Sequence, residues 1–393
     1  MTKEFNQLLN PIVTNLAPDG LTNFQRIISD IPGIVRLTFG EPGFDADARI
    51  KNAVIASVEE NNSHYTDPTG EPELRDAVQC YFNQKYKTNY PSADNVLVTA
   101  GVSEGINVVF MTLLAPGEGV LIPEPAYAPY FAALDLAHAN AVSINTRATK
   151  FKLTPEQVEE AINHAEVPVK AILFNYPTNP TGVTYTREEL VALSAVFEKH
   201  QLWVISDEIY SQLTYDQEHV SLAELLPEQT VMITGLSKSH ALTGYRLGFI
   251  LASERFMIQA RKVHDTLMFS LPKILQDGAL AAITQADEVV AEMRDIYRER
   301  RDWVLADLES LGFDVITPEG AFYLFAKIPT DMGDDGYAFA LDLANEAKVA
   351  VIPGAAFSES TKDYIRISYA ASDADLKEGM QRIHRFLETK RVK

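Results

Sequence analysis

Several residues in this 393-residue chain have the types and settings to do chemistry. Lys238 follows an apolar β-branched run, 231–233, and then Gly235-Leu236-Ser237, and a second apolar run begins after Gly244-Tyr245-Arg246. Two buried strands framing a short loop set this amine at a strand end, where open sheets meet their ligands. A desolvated amine there loses its proton more easily and becomes a nucleophile toward aldehydes. After the run 96–99, the turn Ala100-Gly101-Val102-Ser103 opens an apolar helix, so free N–H groups and the positive end of the helix dipole face any anion. The run 202–206 ends in Asp207-Glu208-Ile209-Tyr210. A carboxylate at a buried strand end is costly unless paired, so Asp207 is either a cap or ion-pair partner or a functional charge. Arg366 lies within the apolar Tyr364-Ile365-Arg366-Ile367-Ser368-Tyr369. A buried arginine needs a carboxylate partner, and its planar fork fits one through two parallel bonds.

These groups need a scaffold. From about 49 to 285, short β-rich runs alternate with amphipathic segments, the pattern of a mostly parallel sheet covered by helices. Strands are predicted at 96–99, 120–122, 141–145, 169–174, 202–206, 230–235 and 247–251. One helix is predicted over 155–165, with Thr154 as N-cap and Pro155 at the first helical position. Another covers 187–200, where Thr186 and Glu189 have capping-box spacing. A long charged helix over 291–311 leads to strands at 313–316, 321–327, 349–352 and 364–369 and helices at 337–347 and 373–389. The expected division is an arm, 1–45, lying over the small domain and the site; a large α/β domain, 46–288; and a smaller α+β domain, 289–393. The arm is punctuated by Asn10-Pro11, Pro18-Asp19-Gly20 and Pro32-Gly33.

Composition excludes several function classes. Lys plus Arg is 34 against 54 for Asp plus Glu, a net charge of −20. Such a chain is a poor candidate for nucleic acid, and any anionic ligand must be held by local groups against the global field. The single cysteine, Cys80, rules out an intramolecular disulfide and suits a reducing cytoplasm. It stands among Leu74, Ala77, Val78, Tyr81 and Phe82 at helical spacing, so a packing role is expected. The opening Met-Thr-Lys-Glu-Phe-Asn-Gln leads into no signal-peptide pattern, and no membrane span is expected. No His/Cys spacing suggests a metal, and neither a Walker-type loop nor a G-x-G-x-x-G fingerprint occurs.

Gly235-Leu236-Ser237-Lys238, seven residues, then Arg246-Leu247-Gly248 resembles the lysine segment of class I/II aminotransferases, fold type I enzymes that use pyridoxal 5′-phosphate. The resemblance covers nearly the full length, with its pieces in the family's order. It implies that Lys238 holds the cofactor as a Schiff base and acts as general acid/base, while Ser237 and Arg246 join Gly101, Val102 and Ser103 around its phosphate. Asn175-Tyr176-Pro177-Thr178-Asn179-Pro180-Thr181-Gly182 contains the family's Asn-Pro-Thr-Gly motif, so Asn179 is expected to donate to the cofactor's phenolic oxygen. Tyr210 reaches the same oxygen in the family, and Asp207 keeps the pyridine nitrogen protonated; Glu208 has no assignment. An aromatic ring from the segment 123–130 stacks on the cofactor, and Tyr127 aligns better than Tyr130. Arg366 matches the anchor of the substrate α-carboxylate, and Gly40, in Leu37-Thr38-Phe39-Gly40-Glu41-Pro42-Gly43-Phe44, matches the glycine that contacts it. Ala46-Asp47 departs from the family's Thr-Pro, and the loop after Pro353 lacks the glycine that often follows Phe357. His64-Tyr65-Thr66-Asp67-Pro68-Thr69-Gly70 resembles the segment whose tyrosine crosses a dimer interface, which makes Tyr65 a ligand of the neighbouring subunit's phosphate and the protein a homodimer.

The implied activity is ping-pong transfer of an amino group from an L-amino acid to a 2-oxo acid such as 2-oxoglutarate. The lysine segment, Lys262-Val263-His264 and Gly320-Ala321-Phe322-Tyr323-Leu324-Phe325 look most like bacterial aromatic and N-acetyl-diaminopimelate aminotransferases, with the aromatic donor favoured. Tyr245 stands where those relatives often have tryptophan, and His240 and His264 are expected to be structural. Aspartate transamination and carbon–sulfur β-elimination are the alternative enzyme activities. A sensory domain of a transcription regulator is the non-enzymatic one, but such proteins carry an N-terminal DNA-binding domain that the first 40 residues cannot hold.

Overall fold

The computed structural model describes residues 9–16 and 20–392. Pro18 and Asp19 of the expected arm turn therefore lie outside the described residues. Asn10 caps the short helix Pro11–Asn15 by accepting from the Ile12 amide at 3.0 Å. The helix Gly20–Ile27 buries Leu21 and Phe24, three apart on one face, and the arm then forms strand β1, Val35–Arg36.

Seven strands follow as one sheet: β2 Val96–Thr99, β3 Gly119–Glu124, β4 Asn140–Asn145, β5 Val169–Asn175, β6 Trp203–Asp207, β7 Thr230–Gly235 and β8 Gly248–Leu251. Their spatial order is β2-β8-β7-β6-β5-β3-β4, and β8 alone runs against the rest. All predicted strands of this sheet are present, with ends shifted by no more than two residues. Period-two alternation sends side chains to both faces, and helices cover both, which is why β2, β6, β7 and β8 are buried nearly throughout; β4, at one edge, is largely exposed. Leu97 packs on one side against the helices Val102–Leu113 and Glu254–Leu267. Val96 and Val98 pack on the other against Pro72–Tyr86 and Lys273–Gln285. The predicted capping boxes at Thr154 and Thr186 both form, over Pro155–His164 and Arg187–Lys199.

A helix of 23 residues, Glu288–Ser310, leads into β9 Asp314–Ile316, β10 Tyr323–Lys327, β11 Val349–Ala350, β12 Ile352–Pro353 and β13 Tyr364–Ser368. The antiparallel order β12-β13-β10-β9 leaves out β11, which pairs in parallel with β1 of the arm. The predicted strand 349–352 is thus shared between two sheets, with fully buried Val351 at the crossing. Helix 337–347 is observed as Gly336–Asp342 followed by a π-helical turn, Leu343–Ala347. One apolar core joins Leu21, Phe24, Val35 and Leu37 of the arm to β10, β13 and the last helix, Asp373–Val392.

Cys80 departs from expectation: it is exposed. The buried stripe of its helix runs through Leu74, Val78, Phe82 and Tyr86 at intervals of four, and position 80 falls on the opposite face. No helix among the described residues is long and apolar enough to cross a membrane.

Candidate active site

Because β2, β3, β5, β6 and β7 are parallel, the segments that follow them emerge at one edge of the sheet. These segments carry Gly101–Ser103, Tyr127, Asn179, Asp207 with Tyr210, and Ser237 with Lys238. Strand β8 is antiparallel, so its start brings Arg246 to the same edge. Arg366 enters from β13, where it pairs with Phe325.

Together they enclose a cleft of about 360 Å³. Gly40, Val102, Ser103, Tyr127, Asn179, Asp207, Tyr210, Ser237, Lys238, Arg246 and Arg366 all line it. Gly101 lies directly against Arg246: a Cβ there would stand 2.8 Å from its Nη2. Tyr65 is not brought to this cleft. It is 85% exposed on another face, edge-on to Phe269.

Lys238 Nζ donates to the Gly40 carbonyl at 2.6 Å. Burial pushes this amine down to about 8; Arg246 and Arg366 reinforce the shift, and Glu41 and Asp207 oppose it. Asp207 is 2% exposed and accepts from the Tyr130 hydroxyl and, at 3.1 Å, from the Ile209 amide. Burial raises it to about 6 although both hydrogen bonds favour the anion. Tyr210 and Tyr323 share a hydroxyl contact of 2.8 Å.

Arg366 has the setting of an anion receptor. Its guanidinium is buried, donates to Asn179 Oδ1 at 2.8 Å and to the Thr38 carbonyl at 2.9 Å, and lies over the Tyr323 ring at 4.3 Å. Its Nε has no partner among the described residues. The carboxylate that a buried arginine needs is missing: among the described residues none lies within ion-pair distance. Burial alone lowers its pKa, a cost that an incoming carboxylate would relieve.

Sequence reasoning passed over several lining residues. Asn175 holds the Asn179 amide at 2.9 Å and donates to the Asp207 carbonyl at 3.0 Å; its place at the end of β5 was the available signal. Tyr130, ranked below Tyr127, is the one bonded to Asp207. Leu21, Thr22 and Gln25 reach the cleft from the arm helix. Glu208, without assignment in the sequence, is fully buried and accepts from Ser206, Ser221 and His219 at 2.7–2.8 Å. Asn179-Pro180 is cis, as are Glu124-Pro125 and Tyr176-Pro177.

Comparison with known proteins agrees with this geometry. A sequence model of the family "Aminotransferase class I and II" matches residues 32–383. A probable N-acetyl-LL-diaminopimelate aminotransferase of Bacillus subtilis is 38% identical over 384 residues, 98% of this chain and 97% of the relative. An aromatic-amino-acid aminotransferase of Thermococcus litoralis is 31% identical, covering 95% of this chain and 97% of the relative. The aspartate aminotransferase from Thermus thermophilus with maleate superposes with a TM-score of 0.90 at 30% identity, covering 96% and 99% of the two chains.

The chain belongs to the class I and II aminotransferases and has their fold, an α/β sheet flanked by helices. It is a pyridoxal 5′-phosphate-dependent transaminase. The residues present fit that cofactor. A buried amine with a lowered pKa faces the cleft, as does a buried acid; a helix N-terminus with no side-chain cap lies beside an arginine, and the glycine between them leaves no room for a Cβ.

Proposed function

We propose that this transaminase moves the amino group of an L-amino acid with a neutral side chain, aromatic by preference, to a 2-oxo acid such as 2-oxoglutarate in a ping-pong cycle. One observation carries the reading of the donor. Among the described residues the cations lining the cleft are Lys238, Arg246 and Arg366, and the link to the cofactor, its phosphate and the substrate α-carboxylate use all three. The apolar and aromatic lining left for a donor side chain includes Tyr323, Leu21 and Ile209, which suit an aromatic ring.

When bound, pyridoxal 5′-phosphate supplies a carbonyl that takes up the amino group and a ring that draws electrons from the donor's Cα. Lys238 is its covalent anchor. With a pKa of about 8, a useful fraction of the amine is unprotonated near neutrality, so Nζ can take the proton from Cα of the donor and return one to Cα of the new amino acid. Asp207 holds the proton on the cofactor's ring nitrogen, and Asn179 and Tyr210 orient its phenolic oxygen. Tyr127 covers the ring, and Gly101, Val102, Ser103, Ser237 and Arg246 bind the phosphate. Arg366 takes the substrate carboxylate, with the Gly40 segment alongside.

The same reading extends to organisation: an arm at 1–45, a cofactor-binding domain at 46–288 and a small domain at 289–393. It makes the enzyme a cytoplasmic homodimer in which Tyr65 of each chain completes the other's phosphate site. Tyr65, Phe269, Leu267, Ile55 and Val58, all exposed large side chains, support that interface. A second donor is N-acetyl-LL-diaminopimelate, whose acetamide suits Gln25, a neutral amide on the cleft wall; its distal carboxylate, like that of 2-oxoglutarate, is left to neutral donors such as this amide. The deciding experiment is kcat/KM for phenylalanine, tyrosine, N-acetyl-LL-diaminopimelate and aspartate with 2-oxoglutarate as acceptor. The aromatic reading expects phenylalanine or tyrosine to lead and aspartate to be the poorest; N-acetyl-LL-diaminopimelate in the lead selects the second donor, and aspartate in the lead overturns the reading.

A further inference from the structure

His264, on the helix Glu254–Leu267, is fully buried, yet neither ring nitrogen faces apolar surroundings. Nδ1 is 2.7 Å from Glu104 Oε1, and Nε2 is 2.8 Å from the carbonyl oxygen of Pro68. A Glu104 carboxylate and the Pro68 carbonyl only accept, so with Glu104 ionised both ring nitrogens carry hydrogen, and a ring with two N–H groups is an imidazolium. Burial disfavours that charge, but the Glu104 and Pro68 contacts outweigh it and hold the ring's pKa above its ordinary value.

The positions of the two partners give the charge a purpose. Glu104 is in the first turn of Val102–Leu113, the helix whose free N–H groups open on the cleft, and its other oxygen accepts from the Ala100 amide. An uncompensated carboxylate there would oppose a phosphate, on a chain already carrying −20. Pro68 belongs to the loop that bears Tyr65, and the adjacent Thr69 carbonyl is bonded to Val98 in β2.

We propose that His264 is a positioning residue for the cofactor phosphate: as an imidazolium it cancels the Glu104 charge at the mouth of the helix and ties the Tyr65 loop to that mouth. The inference rests on reading this helix end as the phosphate site. His264 touches neither cofactor nor substrate and acts through Glu104 and the loop.

The test uses the full-length protein stripped of cofactor and titrated with pyridoxamine 5′-phosphate and with pyridoxamine, which lacks the phosphate. Neither forms a bond to Lys238, so binding is read without catalysis. His264→Gln is expected to weaken pyridoxamine 5′-phosphate roughly tenfold while changing pyridoxamine less than about twofold. Adding Glu104→Gln removes the uncompensated charge and is expected to recover most of that loss. Equal loss for both ligands, or a double variant as weak as the single, would make His264 a packing residue and overturn the inference. If His264→Gln does not fold, Glu104→Gln alone decides. Its amide can still accept from Ala100 and donate to a neutral His264, so affinity at or above wild type is expected, and weaker binding overturns the proposal. A wild-type protein that does not prefer the phosphorylated ligand contradicts the phosphate-site reading itself, a result distinct from failure of the clamp.

Discussion

Arg366 offers the sharpest separation between a binding arginine and a structural one. Replacing it by glutamine removes a buried charge whose partners here are two neutral oxygens, Asn179 Oδ1 and the Thr38 carbonyl. On the proposed reading the lost interaction is a two-pronged, charge-assisted grip on the α-carboxylate, worth about 3–4 kcal/mol, or roughly 150- to 1,000-fold in kcat/KM. The fold loses little. A buried guanidinium without a counter-charge, with Nε unpartnered, is itself costly, and glutamine can satisfy one of the two oxygens. The melting midpoint should therefore move by no more than about 3 °C. The assay compares phenylalanine with phenethylamine, which lacks the carboxylate, in the single-turnover half-reaction of wild type and Arg366→Gln. The large loss should fall on phenylalanine alone. A loss below tenfold, an equal loss on the amine, or a collapse in thermal stability would each refute the assignment.

Two further perturbations probe the cofactor side. Gly101 has φ +80°, and a Cβ would come within 2.8 Å of Arg246 Nη2, so Gly101→Ala should strain the turn and displace the arginine. We expect cofactor affinity to fall about 10- to 100-fold, read by equilibrium titration; an unchanged affinity would argue against a phosphate cradle at this turn. Burial lowers Lys238 from 10.5 to about 8, so the unfolded chain holds that proton more tightly. This group therefore penalises the cofactor-free fold fully below pH 8, and the penalty fades as pH rises to 10.5. Lys238→Met should stabilise the cofactor-free protein by about 3 kcal/mol at pH 7, with the gain shrinking toward pH 10.5 in urea denaturation. A pH-independent difference would show that the amine is not desolvated.

Much of this arrangement was legible in the sequence because it rests on local rules. Strands covered on both faces need apolar runs, and those of β2, β6 and β7 announced themselves that way, whereas β4 lies largely exposed at the sheet edge. Site residues such as Asp207 and Lys238 stood out as polar groups where those runs stop. The capping boxes at Thr154 and Thr186 were readable because they close within three residues. What escaped depends on contacts between distant segments. The division of 349–352 between two sheets follows from the arm strand that pairs with Val349, more than 300 positions away in the chain. Tyr323 meets Tyr210 and Arg366 only after the small sheet docks, and Glu208 meets His219 across a loop with no regular period. Cys80 was misread because its apolar neighbours lie on a stripe that the cysteine itself misses.

The central claim, reversible amino transfer dependent on Lys238, is tested most directly by the visible absorption spectrum of the purified enzyme before and after adding one amino acid without any 2-oxo acid. The visible band of the lysine-bound cofactor should give way to the near-ultraviolet band of the aminated cofactor with phenylalanine or tyrosine, and return with 2-oxoglutarate. Lys238→Ala should fold and bind cofactor but fail to complete this cycle at a measurable rate. A band that survives every donor while cystathionine yields pyruvate and ammonia, or a Lys238→Ala variant that turns over near the wild-type rate, would contradict it.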